Sequence, residues 1–262
     1  MNSNLEALRQ LLGSTLTGWR GTMCASPAPS QPAQMLELYD IEGSPYCRIV
    51  RETLTELDID VLIKPCPKNG QRFRPEALER GGKAQFPLLV DPNTDTVLHE
   101  SADIIDYLVS TYGRRSDKTS RGLGRALRIS GGMLASGINW RPGGLMGITA
   151  IPSKAPAQPL TLFSFETSPF SKIVRNRLCE LELPYILRNT GKGAWSDMGP
   201  PVFRDKLFKG ARATTRNRRW LNEETGQVQV PYLIDPNTDS AMYESADIVR
   251  YLDQTYRLST AA

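Results

Sequence analysis

The residues with the clearest chemical potential are hydroxyl and thiol side chains placed just before a predicted helix. Ser44, Pro45, Tyr46 and Cys47 stand between a short apolar run and a segment with helical spacing of apolar residues, so Ser44 is expected as the N-cap and Pro45 in the first turn. The free N–H groups and the dipole at such a helix start stabilise a thiolate placed there. We therefore expect thiol chemistry at this junction, either on the chain itself or on a bound ligand.

The four cysteines and the single histidine suggest few other functions. Cys47 lies one turn into the helix, where a small core residue would also fit, and Cys66 follows the next strand at the same edge of the sheet, so a Cys47–Cys66 disulfide is one hypothesis. Cys179 is expected to pack within a helix, and Cys24 to be exposed and non-catalytic. His99 is expected to be a surface strand residue. Since the cysteine spacings match no zinc pattern and the chain has only one histidine, we predict no metal site.

The composition argues against several further classes of protein. The chain has 262 residues, 40% of them hydrophobic and 23% charged, with a formal net charge of +4. So mild a charge argues against a dedicated nucleic-acid-binding protein. The most apolar stretch, 129–151, contains Asn139, Arg141 and Pro142, so no transmembrane segment is expected, and no secretion signal is recognised. Four cysteines are too few for a secreted disulfide scaffold, so we predict a cytoplasmic protein.

The chain contains a tandem duplication, which decides its domain organisation. Residues 36–57 align with 160–181 at 11 of 22 positions, and residues 86–112 align with 230–256 at 16 of 27. Because the offset between the copies rises from 124 to 144, the second copy carries 20 extra residues. The predicted organisation is a leader over 1–34, a first domain over 35–113, a Gly/Pro-rich linker with a second leader over 114–158, and a second domain over 159–258 with an insert at 191–229.

The insert is strongly basic between residues 204 and 219. This segment is either a solvated helix and loop or a site for an anionic ligand or partner. Its basic residues are Arg204, Lys206, Lys209, Arg212, Arg216, Arg218 and Arg219.

Each copy is predicted to contain the same series of elements. In the first copy, an apolar strand at 36–41 leads to the helix after Ser44, and a crossover then makes a second strand, at 61–64, parallel to the first. A short helix comes next, a β-hairpin spans 87–98, and a helix capped by Ser101 closes the copy. The order βαβαββα predicts an α/β fold with a mixed four-stranded sheet and helices on both of its faces.

Three short motifs carry a family resemblance. They are the junction at 44–47, Phe86-Pro87 before the third strand, and Glu100-Ser101 at the last helix. In this order, and repeated in the second copy, they resemble the thioredoxin-like N-terminal domain of glutathione transferases and the related glutaredoxins. The chain as a whole is similar to proteins built from two such domains in tandem. The resemblance implies two tandem thioredoxin-like domains and glutathione as the ligand.

The resemblance also implies catalytic roles. In glutaredoxins the first cysteine of a Cys-Pro-Tyr-Cys motif is the nucleophile and the second resolves the mixed disulfide, but here Ser44 takes the first position and only Cys47 remains. The second copy has Ser168 and Ser171 at these positions, so a two-cysteine redox cycle is not available. What remains is the transferase option, in which the hydroxyl of Ser44 or Ser168 stabilises the glutathione thiolate. The alternative is that both serines only cap their helices.

The other motif residues are expected to bind the tripeptide. In the resembled family the proline is cis, and the backbone of the residue before it pairs with the cysteinyl part of glutathione. The Glu-Ser pair offers a carboxylate to the γ-glutamyl ammonium group, and a hydroxyl with a helix N-terminus to the γ-glutamyl carboxylate. The residues assigned in this way are Tyr46, Phe86, Pro87, Glu100 and Ser101 in the first copy and Val230, Pro231, Glu244 and Ser245 in the second.

The sequence departs from the resembled family at the end of each copy. Glutathione transferases add an all-helical domain that forms the co-substrate pocket, whereas here a second copy comes after the first. A co-substrate site would therefore lie between the copies or against the leaders that contain Trp19 and Trp140. We expect a glutathione-binding protein with transferase or thiol–disulfide activity on an unknown small-molecule or protein thiol substrate. The alternative is a non-catalytic pseudo-enzyme whose thioredoxin-like domains are interaction modules.

Overall fold

The computed structural model describes residues 21–114, 148–194, 197 and 213–258. Within these ranges the chain forms two units with the same order of elements, unit 1 up to residue 114 and unit 2 from residue 148. Of the residues discussed above, Trp19, Trp140 and the basic residues between 204 and 212 lie outside the described ranges.

Unit 1 has the order βαβαββα that its sequence predicts. Ser44 caps the first helix and Pro45 lies in its first turn, while Gly82, with φ of +72°, ends the second helix in the left-handed conformation that glycine tolerates. The elements are β1 (Leu36–Asp40), α1 (Pro45–Glu56), β2 (Val61–Pro65), α2 (Arg74–Gly81), β3 (Leu88–Asp91), β4 (Thr96–Leu98) and α3 (Ser101–Tyr112). One prediction is wrong by one residue, because Glu100 and not Ser101 occupies the N-cap of α3.

Unit 2 repeats this order of elements. Its structure also confines the 20 extra residues of the second copy to a shorter segment than the predicted 191–229. Its elements are β5 (Leu160–Ser164), α4 (Pro169–Glu180), β6 (Tyr185–Asn189), α5 (Arg216–Thr225), β7 (Tyr232–Asp235), β8 (Ser240–Tyr243) and α6 (Ser245–Tyr256). Lys192 is equivalent to Lys68 and follows it by 124 residues, so the two copies still align at this point without the insertion. Gly226 ends α5 as Gly82 ends α2, and it follows Gly82 by 144 residues, so the insertion comes before it. The extra residues therefore lie between Lys192 and Arg216.

The strands of both units form one eight-stranded sheet in the order β4-β3-β1-β2-β6-β5-β7-β8. In each unit the first two strands are parallel, and the hairpin strands pair antiparallel. The units join where β2 pairs antiparallel with β6, with Leu62 opposite Ile186. These residues are equivalent in the duplication, so an approximate twofold axis passes between them. The sequence predicts the four-stranded halves but not their union, because an open strand edge carries no side-chain signature of its partner.

The core follows the two-residue period of the strands. In β1, Leu36 and Leu38 belong to the large core, together with the apolar residues of α1 and α3. Tyr39 points to the opposite face and packs in a smaller cluster with Ala77 of α2. Helices therefore lie on both faces of the sheet, as predicted.

The segment before each unit crosses over to the other unit. Lys192, after β6, exchanges backbone hydrogen bonds with Thr22 and Cys24, and Lys68, after β2, does the same with Ile148 and Ala150. The prediction that Cys24 is exposed is wrong, because this crossing segment buries the cysteine between the two units.

Candidate functional site

A pocket of about 800 Å³ opens in unit 1 beside the N-terminal ends of α1 and α3. It gathers every residue that the sequence assigned to the first copy except Cys47. The lining residues are Ile41, Ser44, Pro45, Tyr46, Arg74, Ala84, Gln85, Phe86, Pro87, His99, Glu100 and Ser101. All of them belong to unit 1, so this pocket is not the site between the copies that the sequence suggested for a co-substrate.

Ser44 lines the pocket and also caps α1. Its Oγ accepts a hydrogen bond from the backbone N–H of Cys47 at 3.4 Å. In unit 2 the Oγ of Ser168 accepts from the N–H of Ser171 at 3.3 Å. Both serines therefore act as helix caps. Because a hydroxyl accepts with its lone pairs and donates with its hydrogen, capping leaves the hydroxyl hydrogen of Ser44 available to a ligand.

Cys47 points away from the pocket and into the core. Its side chain is fully buried, and its Sγ accepts a hydrogen bond from the N–H of Ile41 at 3.5 Å. Burial, reinforced by the nearby Asp40 carboxylate, raises the pKa of the Cys47 thiol well above its usual value. The structure thus places Cys47 as a packed, protonated thiol and not as a nucleophile in the pocket.

The hypothesis of a Cys47–Cys66 disulfide is not supported by the structure. Both cysteines belong to the same small apolar cluster, as expected from the edge of the sheet that they share, but both are free thiols. Cys179 is also free and buried in α4, which matches its predicted packing role.

The Phe86–Pro87 peptide bond is cis, as is the Val230–Pro231 bond in unit 2. Pro87 is buried, whereas Phe86 is half-buried at the pocket wall. The guanidinium of Arg74 lies over the Phe86 ring, 5.0 Å from its centroid, and the Arg74 Nε donates to the carbonyl of Pro67 at 2.6 Å. These contacts hold a positive charge at the pocket.

Glu100 is exposed at the pocket, and a residue that the sequence reasoning missed holds it in place. The amide of Gln85 donates to Glu100 Oε1 at 2.7 Å. The same contact, also at 2.7 Å, joins Gln229 to Glu244 in unit 2. A signal for this pair was present, because a glutamine stands directly before the Phe-Pro or Val-Pro dipeptide in both copies. Ser101 is buried in the first turn of α3.

His99 is a wall residue of the pocket and not the surface strand residue expected from the sequence. Its Nδ1 lies 3.1 Å from the carbonyl oxygen of Gln85, and its Nε2 lies 2.8 Å from that of Gly81. In unit 2 the hydroxyl of Tyr243 lies 2.6 Å from the Thr225 hydroxyl, at the end of the equivalent helix. Both side chains link the short helix of their unit to its last strand. Because the two residues differ in type, a comparison of the two copies does not reveal this shared role.

The corresponding residues of unit 2 are arranged differently. Glu244 has a φ of +65°, whereas Glu100 has a φ of −76°. Arg218, the equivalent of Arg74, is buried, and its Nη2 lies 3.4 Å from Asp197 Oδ1. The positive charge that faces the pocket in unit 1 is therefore directed into the protein in unit 2.

The described basic residues of the insert contact the chain itself. Arg216 forms an ion pair with Asp60 of unit 1 at 2.7 Å, and Arg219 donates to the carbonyl of Thr214 at 3.2 Å. Together with Arg218, these residues contribute to internal contacts.

Among the described residues no group of three or more His, Cys, Asp or Glu side chains is arranged to hold a metal ion. None of the described helices is long and apolar enough to cross a membrane.

Comparison with known proteins gives the same family for both units. The family model for the glutathione S-transferase N-terminal domain matches residues 38–116 and 162–260. A solved structure of a delta-class glutathione transferase from Nilaparvata lugens matches with 26% sequence identity and a TM-score of 0.27, and the match covers 34% of this chain and 42% of that chain. The chain thus spans less than half the length of that transferase. Comparison with curated proteins gave no significant match.

Proposed function

Because the chain belongs to the glutathione S-transferase N-terminal domain family, with one match in each unit, we propose that the unit 1 pocket binds glutathione and stabilises its thiolate. The observation that carries this proposal is the pocket, which gathers six of the residues assigned from the sequence around one cavity. It offers both a carboxylate, from Glu100, and a guanidinium, from Arg74. Such a pair suits a peptide with charged groups of both signs.

In this proposal the γ-glutamyl end of glutathione binds at the start of α3. The Glu100 carboxylate, oriented by Gln85, receives the ammonium group. The free N–H groups in the first turn of α3, at Ser101, receive the carboxylate, because a helix N-terminus favours an anion. Both groups, the glutamate carboxylate and the helix N-terminus at the following serine, are also present in unit 2, at Glu244 and Ser245.

The cysteinyl part lies along Phe86, and its sulfur faces Ser44. Phe86 lies at the pocket wall, where its backbone pairs with the ligand backbone as an added strand would. The Ser44 hydroxyl donates its free hydrogen to the sulfur, and the start of α1 adds a favourable dipole. Both interactions stabilise the thiolate over the thiol and therefore lower the pKa of the bound ligand.

The glycyl carboxylate lies at Arg74, whose guanidinium is held in position over the Phe86 ring. Arginine binds a carboxylate through two parallel hydrogen bonds, so this contact also orients the peptide.

The reaction that this arrangement favours is glutathione transfer. The thiol proton leaves to solvent, the thiolate sulfur forms a bond to an electrophilic substrate, and the substrate's leaving group departs with the electron pair. The chain supplies no nucleophile in this scheme, in agreement with the burial of Cys47. A pocket of about 800 Å³ is within the size range of small-molecule sites, roughly 300–1,000 Å³, so it has room for a small co-substrate beside the tripeptide.

A non-catalytic pseudo-enzyme is the second candidate, and one observation favours it for unit 2. Arg218 is buried and lies against Asp197, whereas the equivalent Arg74 lines the unit 1 pocket. In this alternative unit 2 serves as an interaction module. An anionic partner at residues 204–219 stays a prediction, because Arg216 and Arg218 pair with Asp60 and Asp197 of the chain itself. The cellular setting proposed for either candidate is the reducing cytoplasm, where free cysteines persist.

To test the proposal, the full chain is titrated with reduced glutathione, and binding is measured by calorimetry and by the shift in thermal unfolding. A ligand present at 100 times its Kd and bound only to the folded state adds about 2.7 kcal/mol of stability. Absence of both heat and stabilisation at millimolar glutathione would exclude glutathione binding. If glutathione binds, conjugation to a model electrophile distinguishes a transferase from a pseudo-enzyme.

A further inference from the structure

Within the part of the chain that the structure describes, a group of six charged side chains is buried between the two units, at the face of the sheet covered by α1 and α4. None of them is more than 8% exposed, and three are acidic and three basic. We call this group the interunit charge cluster; it consists of Asp40, Glu42, Arg51, Glu166, Lys172 and Arg175. Buried charges are tolerated only when they are paired, so the contacts among these six residues determine how the units fit together.

The cluster is built on a reciprocal exchange between the units. Arg51 of unit 1 donates through Nε to Glu166 Oε2 of unit 2 at 2.9 Å, and Arg175 of unit 2 donates through Nε to Glu42 Oε1 of unit 1 at 3.1 Å. The two arginines are equivalent in the duplication, and so are the two glutamates. Each unit therefore supplies an arginine to a glutamate of the other unit.

Both glutamates belong to the loops that precede the candidate serines. We call residues 41–44 and 165–168 the serine loops; Glu42 lies two residues before Ser44. The backbone is bound as well as the side chain, because Arg51 donates through Nη2 to the carbonyl of Glu42 at 3.2 Å. Lys172 of unit 2 also donates to Glu42 Oε1, at 3.0 Å. The unit 1 serine loop is thus held from both units.

The charge state of the cluster favours this exchange. Burial opposes ionisation of Glu42, but Arg175, Arg51 and Lys172 together outweigh burial and hold the pKa of Glu42 below its usual value. Burial likewise opposes the charged form of Arg51, but the three carboxylates around it raise its pKa well above the usual value. The glutamate and the arginine are therefore both charged near neutral pH.

We propose that unit 2 positions the serine loop of the unit 1 pocket, through the contact of Arg175 and Lys172 with Glu42. Arg175 does not line the pocket, and it acts on Ser44 only through the loop, so it is a positioning residue. If Arg175 is lost, Glu42 keeps Lys172 and Arg51 as its cationic partners. Its buried charge is then less well compensated, and the imbalance is relieved when the loop moves toward water. Such a movement displaces Ser44 and the first turn of α1. The second unit is then required by the first, whether or not it binds a ligand itself.

The experiment compares the full-length chain with the variants Arg175→Met and Arg177→Met. Arg177 is the matched control, because it lies on the same helix but pairs with Glu180 and Asp253 of its own unit. Two measurements need no ligand: amide hydrogen exchange of residues 41–47, and the rate of alkylation of Cys47, which is buried beneath the loop. We expect Arg175→Met to raise both by about tenfold, because Glu42 loses one charge-assisted hydrogen bond, and Arg177→Met to leave both unchanged. Equal rates in the two variants would overturn the proposal.

The ligand measurement rests on the proposed function and is interpreted separately. If the wild-type chain binds glutathione, Arg175→Met raises the Kd and Arg177→Met does not. If the wild-type chain does not bind, the proposed function fails, and the exchange and alkylation rates still decide the positioning role. Should Arg175→Met fail to fold, Lys172→Met replaces it, because it removes the more peripheral contact to Glu42. Faster exchange of residues 41–47 in that variant supports the proposal, and unchanged exchange overturns it.

Discussion

The carboxylate of Asp91, at the end of β3, accepts a hydrogen bond from the hydroxyl of Tyr107 on α3 at 2.6 Å. In unit 2 the same contact joins Asp235 to Tyr251, also at 2.6 Å. A second tyrosine at the end of each closing helix donates to the same carboxylate. The Asp-Pro-Asn-Thr-Asp turn and the tyrosines, which are present in both copies, are therefore in direct contact in each unit. Each aspartate ties the hairpin to the helix that packs on the sheet.

We expect Asp91→Asn to destabilise the protein by about 1–3 kcal/mol, because a buried charged acceptor of two hydroxyl donors is replaced by a weaker one. Equilibrium unfolding in denaturant measures this difference in free energy. The control is Asp106→Asn, on the exposed side of α3. Equal stability of the two variants would contradict the role assigned to Asp91.

The same aspartates predict a dependence of stability on pH. Burial opposes ionisation of Asp91 and Asp235, but hydrogen bonds from two tyrosines and an asparagine outweigh burial and hold the pKa of each carboxyl below its usual value. Since these pKa values are lowered by folding, the stabilisation is fully present above the unfolded-state pKa of about 3.9 and is lost as the pH falls through the lowered values. Unfolding free energies measured between pH 2 and pH 7 should therefore fall below about pH 4. The double variant Asp91→Asn/Asp235→Asn should show a shallower fall, and an unchanged slope would count against this explanation.

Ser44→Ala should reduce both stability and glutathione activation. The loss of the cap costs about 1 kcal/mol, and the loss of the hydroxyl donor raises the pKa of the bound glutathione thiol. Ser168→Ala is the matched control, since it removes an equivalent cap with a hydrogen bond of nearly the same length. The measurements are denaturant unfolding and the pH dependence of thiolate absorbance with bound glutathione. A thiol pKa that is the same in both variants would assign Ser44 a capping role only.

Gln85→Leu should weaken glutathione binding by up to about tenfold, because a hydrogen bond that orients a charged side chain contributes on the order of 1 kcal/mol. The variant removes the bond that holds Glu100 at the pocket. Gln229→Leu removes the same bond in unit 2 and serves as the control. Calorimetric titration of both variants also shows which unit binds the ligand. A larger loss with Gln229→Leu would place the functional site in unit 2.

The native protein should react slowly with thiol reagents at pH 8. All four cysteines are free and buried, and burial raises the pKa of Cys24 to about 12. After unfolding, all four thiols should react without reduction. Tyr46→Cys is a positive control, because residue 46 lines the pocket and is 43% exposed, so a thiol there should react in the native state. If only two thiols react after an oxidised sample is unfolded, this result would support the Cys47–Cys66 disulfide.

The sequence reached the features of the fold that depend on neighbours in the chain. The cap at Ser44 with Pro45 behind it, the two-residue alternation of β1 and the turn after Asp91 are local, so the order βαβαββα could be predicted. The duplication then made the prediction stronger, because it presented each local signal twice. The motifs at 86–87 and 100–101 lie at element boundaries and have counterparts at 230–231 and 244–245, and the family resemblance implies their role in binding.

Other features of the site depended on contacts between distant residues. His99 and Tyr243 hold equivalent positions with different chemistry, so the comparison of copies could not reveal their shared role. Cys24 is buried because its segment crosses to unit 2, a contact across more than 160 residues of chain. The orientation of Cys47, away from the pocket, depends on the packing around it.

By itself the sequence determined two units of thioredoxin-like fold, a serine where a nucleophilic cysteine would stand, and the motif residues around it. The order of elements and the repeated motifs follow from short-range spacing and residue type, whereas the thioredoxin-like fold and the role of the replaced cysteine are what the family resemblance implies. Only the tertiary structure decided that the two sheets join through Leu62 and Ile186, and that Glu42 and Glu166 exchange arginines across the interface. The partner of a strand edge or of a buried charge is a residue far away in the chain. The relative positions of such residues are set only when both units have folded and docked.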